Sequence, residues 1–398
     1  MQLEEKMIKR LSQLMAFSFI AEILVCWKMW IPIGREFPMI SAFESIPISL
    51  GLIGDCILIC FLFTSLILII LHKHSKLAFT VLLVCFVLLI LEDIARLQPW
   101  VYGQTAILCL LCFQPKKPNT EELKKSILTG VLIVIAGIYL WSGLQKFNLN
   151  FIRETFPWLL SATGIDLIVP AGEPTPSINY SLFLVALGET ILGLMIIFKK
   201  TRKIGMIGTL IMHVFILFSV GPLGHNWNQV VWPWNVSQML ILISFLKFKP
   251  DISFRANIKP IKFNYILILL FFIMPAFNLI GLWDPPLSGC LYEGTHDEVA
   301  FYYDGYRQTK MLKHQEEGST INEDDLGNFL GTNTYFTYWS LYGMNAPNYP
   351  AHRYYKRIGK ILCSEVSNPE IGGLEITSRK KFTGELVYER CTCLELAE

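Results

Sequence analysis

Between Pro47 and Leu71 the chain carries one charged residue, Asp55. A bilayer core about 30 Å thick takes about 20 apolar residues in a helix, because without water every backbone polar group must be satisfied inside the segment. Stretches of this kind recur, and helices are predicted at 12–32, 47–71, 77–95, 98–114, 126–147, 179–198, 204–222, 231–247 and 263–283. The expected fold class is an all-α polytopic membrane helix bundle of about nine transmembrane helices over residues 1–283, with a small exported α+β domain over 284–398. Only 17% of residues are charged, against about a quarter in soluble chains. A net charge of +2 makes no case for nucleic acid; the lipid bilayer is the expected partner.

Orientation follows from where the bases fall, since lysine and arginine stay in short cytoplasmic loops. Eighteen lie in one alternating set: Lys6, Lys9 and Arg10; Lys73 and Lys76; Lys116, Lys117, Lys124 and Lys125; Lys199, Lys200, Arg202 and Lys203; Lys247, Lys249, Arg255, Lys259 and Lys262. The opposite set holds five, Lys28, Arg35, Arg96, Lys146 and Arg153. The expected localisation is the cell membrane, multi-pass, with a cytoplasmic N-terminus and a non-cytoplasmic C-terminal domain. The first helix lacks a small-x-small cleavage site and ends in Trp27, Lys28 and Trp30, so it reads as a retained span.

Residues 148–178 form the longest outer loop, with the turn-rich run AGEPTPS at 171–177. After Trp283 the chain turns acidic, with seventeen acids against eleven bases. Alternation at 299–306 and 384–393 predicts strands. The segment after Pro350 predicts a helix with proline in its first turn and Tyr354, Ile358, Ile361 and Leu362 on one face. Four cysteines fall in this exported part, Cys290, Cys363, Cys391 and Cys393, and suit disulfides, with bridging from Cys290 or Cys363 to the terminal pair easier than closure of Cys391 on Cys393. Cys109 and Cys112 sit in an apolar helix with no further ligands, so no metal site is expected.

Ionisable groups inside a bilayer are costly and face a bundle interior or a cavity. Glu22, Asp55, Glu189 and His213 fall mid-helix; interhelical pairing, a proton route and the wall of a quinone-like pocket are the readings open to them. The connections at 92–103, 141–151 and 221–235 all emerge on the outer side. They place Asp93, Arg96, Gln98, Lys146, His225, Asn226 and Asn228 at one depth, among Trp100, Trp141, Trp227, Trp232 and Trp234. Tryptophan at that level is explained by an interfacial belt, and Lys146 by snorkelling. The density of amide, carboxylate, lysine and histidine is not. From it comes a candidate site with Lys146, Asp93 and His225 catalytic and Arg96, Gln98, Trp100, Asn226, Asn228 and Trp232 binding substrate. A lysine held away from water can release its proton and act as a base.

The stretch IYLWSGLQKFNLNF (138–151) resembles the tyrosine-x-x-small-glycine-x-x-lysine segment of the horizontally transferred transmembrane domain shared by vitamin K-dependent gamma-carboxylases and their bacterial relatives. The resemblance places the family's catalytic lysine on Lys146 and implies a quinone-type cofactor, an outward-facing site and an outer C-terminal domain. LLILEDIARLQPWVYG (88–103) resembles a second family segment, but Gln98 stands where the carboxylases have histidine, and an amide exchanges no proton as imidazole does. GETILGLMIIFKKTRKIGMIGTLIMH (188–213) is similar to the DoxX-type family. Together they imply a carboxylase-like or quinone-linked membrane enzyme. The competing reading is a non-catalytic anchor or partner subunit whose exported domain binds another protein.

The charge alternation makes a direct prediction. Reporter fusions at residues 120 and 201 should be active only with a cytoplasmic reporter, and a fusion at 398 only with an exported one. The reverse result at 398 would remove the nine-helix arrangement.

Overall fold

The structure is a computed structural model describing residues 2–397 apart from 46–47, 74, 113–120, 166–179, 305–330, 367–368, 371 and 382. Lys116, Lys117, the run 171–177 and the end of the first expected strand lie outside the described residues.

The protein is mostly helical. Its long helical segments are α1 (Gln2–Val25), α2 (Gly51–Ile70), α3 (Ser75–Glu92), α4 (Pro99–Cys112), α5 (Glu121–Gln145), α6 (Phe183–Ile197), α7 (Arg202–Val220), α8 (Val231–Phe248) and α9 (Phe263–Ile280). Five of them, α2, α3, α5, α7 and α9, are long and apolar enough to cross a membrane. α4 and α6 are apolar but shorter. α9 is irregular: a widened turn at Leu269–Ile273 leads into a tight 3-10 stretch at Met274–Ile280. Pro275, which has no N–H to give the preceding turn, accounts for the change of winding.

α5 is the central pillar. Of an 18-residue stretch of it 83% is buried, against 22 to 39% for the other four membrane-length helices. Its contact with α6 is unusually close, for a reason legible atom by atom. A Cβ on Gly143 would lie 2.4 Å from the backbone nitrogen of Thr190, and one on Gly193 would lie 2.6 Å from that of Leu140. Each helix thus presents a glycine to the other's backbone, the small-residue packing that lets apolar helices approach.

The two ends of the bundle differ in chemistry. At one, Lys124 pairs with Glu5 at 3.0 Å, Lys199 with Asp251 at 2.5 Å, and Arg202 donates to Ile252 O at 3.0 Å. At the other, the 3–4, 5–6 and 7–8 connections gather beneath the C-terminal part. Gln98 donates to Pro347 O, Asn345 to Gln229 Oε1, Arg379 pairs with Glu154, and Lys381 donates to Gln145 Oε1.

That part is α+β. Strands β1 (Glu298–Asp304), β2 (Gly331–Tyr335), β3 (Gly373–Arg379) and β4 (Leu386–Thr392) form an antiparallel sheet in the order β2-β1-β3-β4. β2 and β3 carry no clear alternation and were not expected. Val299 and Phe301 face Ile376 and Leu374 across the β1–β3 register. This core is covered by α10 (Phe336–Met344) and α11 (His352–Cys363), with the short α12 (Cys393–Ala397) closing the chain. Tyr354, Tyr355, Ile358 and Leu362 form the buried face of α11, while Ile361 is only half-buried. Pro350 lies ahead of the helix rather than in its first turn, because Ala351 is still extended. Cys363 and Cys393 form a disulfide, while Cys290 and Cys391 are free thiols. The division at 283/284 marks a change of composition and not a break in packing. The apolar core runs on from Trp30 and Phe37 into Phe336 and Trp339, with the Phe37 and Trp339 rings 4.9 Å apart.

The glycine contact yields a test with a fixed sign. Gly to Ala in a helix gains about 1 kcal/mol by propensity, but overpacking a tight contact costs about 1–3 kcal/mol. Gly143→Ala should therefore lower the unfolding temperature of the protein in nanodiscs. Gly188→Ala on α6, where a Cβ meets nothing within 4 Å, should leave it unchanged or raise it.

Candidate functional site

Four helices each bring polar groups to one otherwise apolar cavity. On α5, Tyr139, Ser142 and Lys146 follow at i, i+3 and i+7 and so share a face, with Lys146 just past the helix end. α6 brings Glu189, α7 His213, and α8 Asn235 and Gln238. The cavity they line has a volume of about 380 Å³. The rest of its wall is apolar, including Leu184 and Ile211, each about two-thirds exposed on the outer surface of the bundle. Its mouth therefore opens sideways between α6 and α7 through hydrocarbon side chains.

Two polar pairs face this space. Lys146 Nζ donates to Glu189 Oε2 at 2.7 Å and to Ser142 Oγ at 2.8 Å. An ammonium has three N–H groups, so one remains for a ligand. Across the cavity, Asn235 Nδ2 donates to Val231 O, which leaves Asn235 Oδ1 facing His213 Nδ1 at 2.6 Å. A neutral His213 then carries its proton on Nδ1, and Nε2 accepts from the Tyr139 hydroxyl at 2.6 Å. The arrangement presents a lysine–carboxylate ion pair and a tyrosine–histidine hydrogen-bonded pair to whatever lies between them.

The other expected site residues go elsewhere. Asp93 accepts from Arg35 Nη1 at 2.6 Å and from the backbone N–H groups of Ile40 and Ala95, so it is a cap and an ion-pair partner, not a neighbour of Lys146. Arg96 is not available to a substrate. Its five N–H donors go to Met29 O, Leu89 O, Glu92, Trp30 O and Asp55, all within a fully buried cluster. Asp55 is thereby a structural counter-charge. Glu22 accepts from Ser18 and Gln104 and lines no cavity described here. His225 stacks on Trp158 with ring centroids 4.3 Å apart and bonds Trp158 O at 2.6 Å, fixing the outer loop. Asn226 is exposed and, like Asn228, takes a left-handed backbone that asparagine tolerates. Trp232 Nε1 donates to Val220 O at the end of α7. Gln98, Trp100 and Asn228 line a second, smaller cavity. The expected meeting of Lys146 with Asp93, Gln98 or His225 is thus replaced by its pairing with Glu189.

No protein-family model, no curated protein and no solved structure matches this chain. The site therefore rests on its own geometry.

Glu189 and His213 were visible in the sequence only as isolated intramembrane groups, Tyr139 and Ser142 only as members of the segment that carries the family resemblance, and Asn235 and Gln238 not at all. The i, i+3, i+7 spacing in IYLWSGLQK was the signal that puts Tyr139 and Ser142 on the face of Lys146. Asn235 and Gln238, three apart on α8, would have needed the helix contacts to be known.

Lys146 and Glu189 are 7% and 8% exposed. Removing one member of a buried pair strands the other, at about 3–5 kcal/mol, whereas replacing both by apolar groups is close to neutral. Glu189→Leu alone should lower the unfolding temperature sharply, and Lys146→Met with Glu189→Leu should restore most of it. A loss in the double variant equal to the sum of the Lys146→Met and Glu189→Leu losses would show that the two groups do not interact.

Proposed function

We propose that this chain is a multi-pass cell-membrane protein that binds a lipid-soluble, quinone-like ligand in the α5–α8 cavity and acts on it as a quinone-linked membrane enzyme. In this reading all nine long helices are embedded, the basic end is cytoplasmic, and the C-terminal part lies outside. The observation that carries it is one cavity that joins a hydrocarbon mouth at Leu184 and Ile211 to the Lys146–Glu189 and Tyr139–His213 pairs at its inner wall. A ligand drawn from lipid needs an apolar passage, and a carbonyl or phenolic head needs fixed hydrogen-bond partners at its end. A hydroquinone bound there would release two protons to these groups and two electrons to an external one-electron acceptor, two equivalents of ferricyanide in an assay.

The protein's own groups handle the protons. Lys146 holds a proton toward the cavity, and Glu189 receives it when the lysine acts as a base. Tyr139 donates toward His213, and Asn235 fixes that imidazole's tautomer. These roles accord with the resemblance of 138–151 to the carboxylase segment. Carboxylation itself is left out of the proposal, because Gln98 occupies the family's histidine position with its amide nitrogen already bonded to Ala95 O and Pro347 O.

Quenching of tryptophan emission tests this, since Trp234 lines the cavity. A short-chain naphthoquinone should quench saturably in nanodiscs, and Trp234→Phe should remove most of the signal. Gly188→Leu, which fills the cavity without a backbone clash, should abolish saturation. Lys146→Ala should weaken binding by at least about tenfold, the loss of about 1.4 kcal/mol. Quinol oxidation should not return with Lys146→Arg, whose guanidinium stays protonated. Absence of saturable quenching in the folded wild type would favour the anchor or partner-subunit reading.

A further inference from the structure

The second cavity lies between the outer end of the bundle and the C-terminal part, and has a volume of about 220 Å³. Its bundle side is Gln98, Trp100, Trp227, Asn228 and Trp234, and its roof includes Tyr292, Asn348 and Tyr355. His296, 43% exposed, stands at its rim, so it opens to water at the outer face and not to the apolar flank. Val231, Trp234, Leu291 and Tyr292 line both cavities and form the wall between them.

The lining selects a chemical class. Among the described residues no lysine or arginine borders the chamber, so none of them compensates a phosphate or carboxylate there. Asp297, the one carboxylate among those lining residues, has His352 Nδ1 at 3.8 Å. Covalent chemistry is not provided for either. Cys290 donates to Asn278 Oδ1 and burial pushes its thiol well up, away from thiolate. What remains is a set of aromatic planes interleaved with amides. Gln98 spends its N–H groups on backbone carbonyls, which leaves its oxygen to accept. Trp100 is 1% exposed, and its Nε1 has no hydrogen-bond partner among the described residues, which leaves a buried donor. Flat apolar faces with both donors and acceptors between them match a ring that carries C–H faces and hydroxyl edges.

The wall is held rigidly. Tyr292 takes φ of +51°, a region a bulky side chain rarely adopts, and its ring stacks on Trp158 with centroids 6.4 Å apart. Trp158 in turn is pinned by His225. The residues that sequence reasoning grouped around Lys146 therefore divide: Gln98, Trp100 and Asn228 line the upper chamber, His225 braces its wall, and Lys146 lies below.

We infer that the outer chamber is a second binding site, for a neutral hydroxylated ring of the sugar class, taken up from the outer aqueous side. It stands independently of the ligand proposed for the lower cavity. The site holds its ligand by stacking on Trp227 and Trp234 and by hydrogen bonds to Gln98, Trp100 and Asn228, whose Oδ1 has no partner among the described residues.

The full chain in phosphatidylcholine nanodiscs, free of glycoside detergents, is titrated calorimetrically with methyl β-glucoside, methyl α-mannoside and myo-inositol. At least one should bind saturably, and glucose 6-phosphate should bind at least about tenfold more weakly than the best of them. Trp227→Ala and Asn228→Gly, the latter compatible with the left-handed backbone at φ of +48°, should each weaken binding by about tenfold while the unfolding temperature stays near wild type. Gly188→Leu should leave sugar binding unchanged, which separates this site from the lower one. The inference is overturned if no neutral probe binds the folded protein, if glucose 6-phosphate binds as well as the neutral probes, if acetyl-diglycine amide binds more tightly than any of them, or if Asn228→Gly folds normally and binds undiminished.

Discussion

The close contact of α5 with α6 is the constraint on which the candidate site depends. Gly143 and Gly193 each abut the other helix's backbone, and that proximity puts Glu189 within 2.7 Å of Lys146. With larger residues the helices would separate, and the lysine and carboxylate would each need another partner in a setting that supplies no water. Interlocking backbones and a buried ion pair are therefore two aspects of one packing arrangement. α7 and α8 then complete the cavity by setting His213 and Asn235 against Tyr139 on the same face of α5.

A second buried ionic group shows by contrast what a structural cluster looks like. Arg96 has all five N–H groups committed, and Asp93 accepts from Arg35 and two backbone amides. Together these tie the Trp27–Trp30 turn, the start of α2 and the end of α3 into one unit; Leu50 N, which donates to Glu92 Oε1 at 2.7 Å, belongs to it. Lys146 differs in one respect that matters chemically: one N–H is uncommitted and the group borders an open volume. Saturation of donors, more than burial or charge, separates the two clusters.

The C-terminal part is a roof more than an appendage. Its core is continuous with the bundle, and its polar contacts fall on the 1–2, 3–4, 5–6 and 7–8 connections alike. Asp284, just past the last long helix, is gripped by Arg353 and Tyr349, whose hydrogen bonds hold its carboxyl below the usual range despite burial. The disulfide between Cys363 and Cys393 ties the end of α11 to the start of α12. The outer chamber exists because this roof closes over Trp100 and Trp227.

The sequence by itself determined the helical character and the approximate bounds of the apolar helices, because a run of about 20 apolar residues leaves the backbone little alternative to a helix in lipid, but not those of α1, expected at 12–32, which begins at Gln2 and carries the charged stretch up to Arg10 in helix. It also marked Lys146, Glu189 and His213 as groups needing partners, since each interrupts an apolar run. The position of each group near one end of its helix was legible too, which is why Asp93, Gln98, Lys146 and His225 were grouped. Rotation about each helix axis and the choice of neighbour were not legible: groups at one depth on different helices meet only if their helices pack side by side with those faces turned inward. Tertiary structure decided that α5 lies against α6, so that Lys146 pairs with Glu189 while Asp93 turns to Arg35. It decided likewise that β2 and β3 join the sheet, because strand pairing brings together segments far apart along the chain, Asp304 with Gly331 and Phe301 with Leu374.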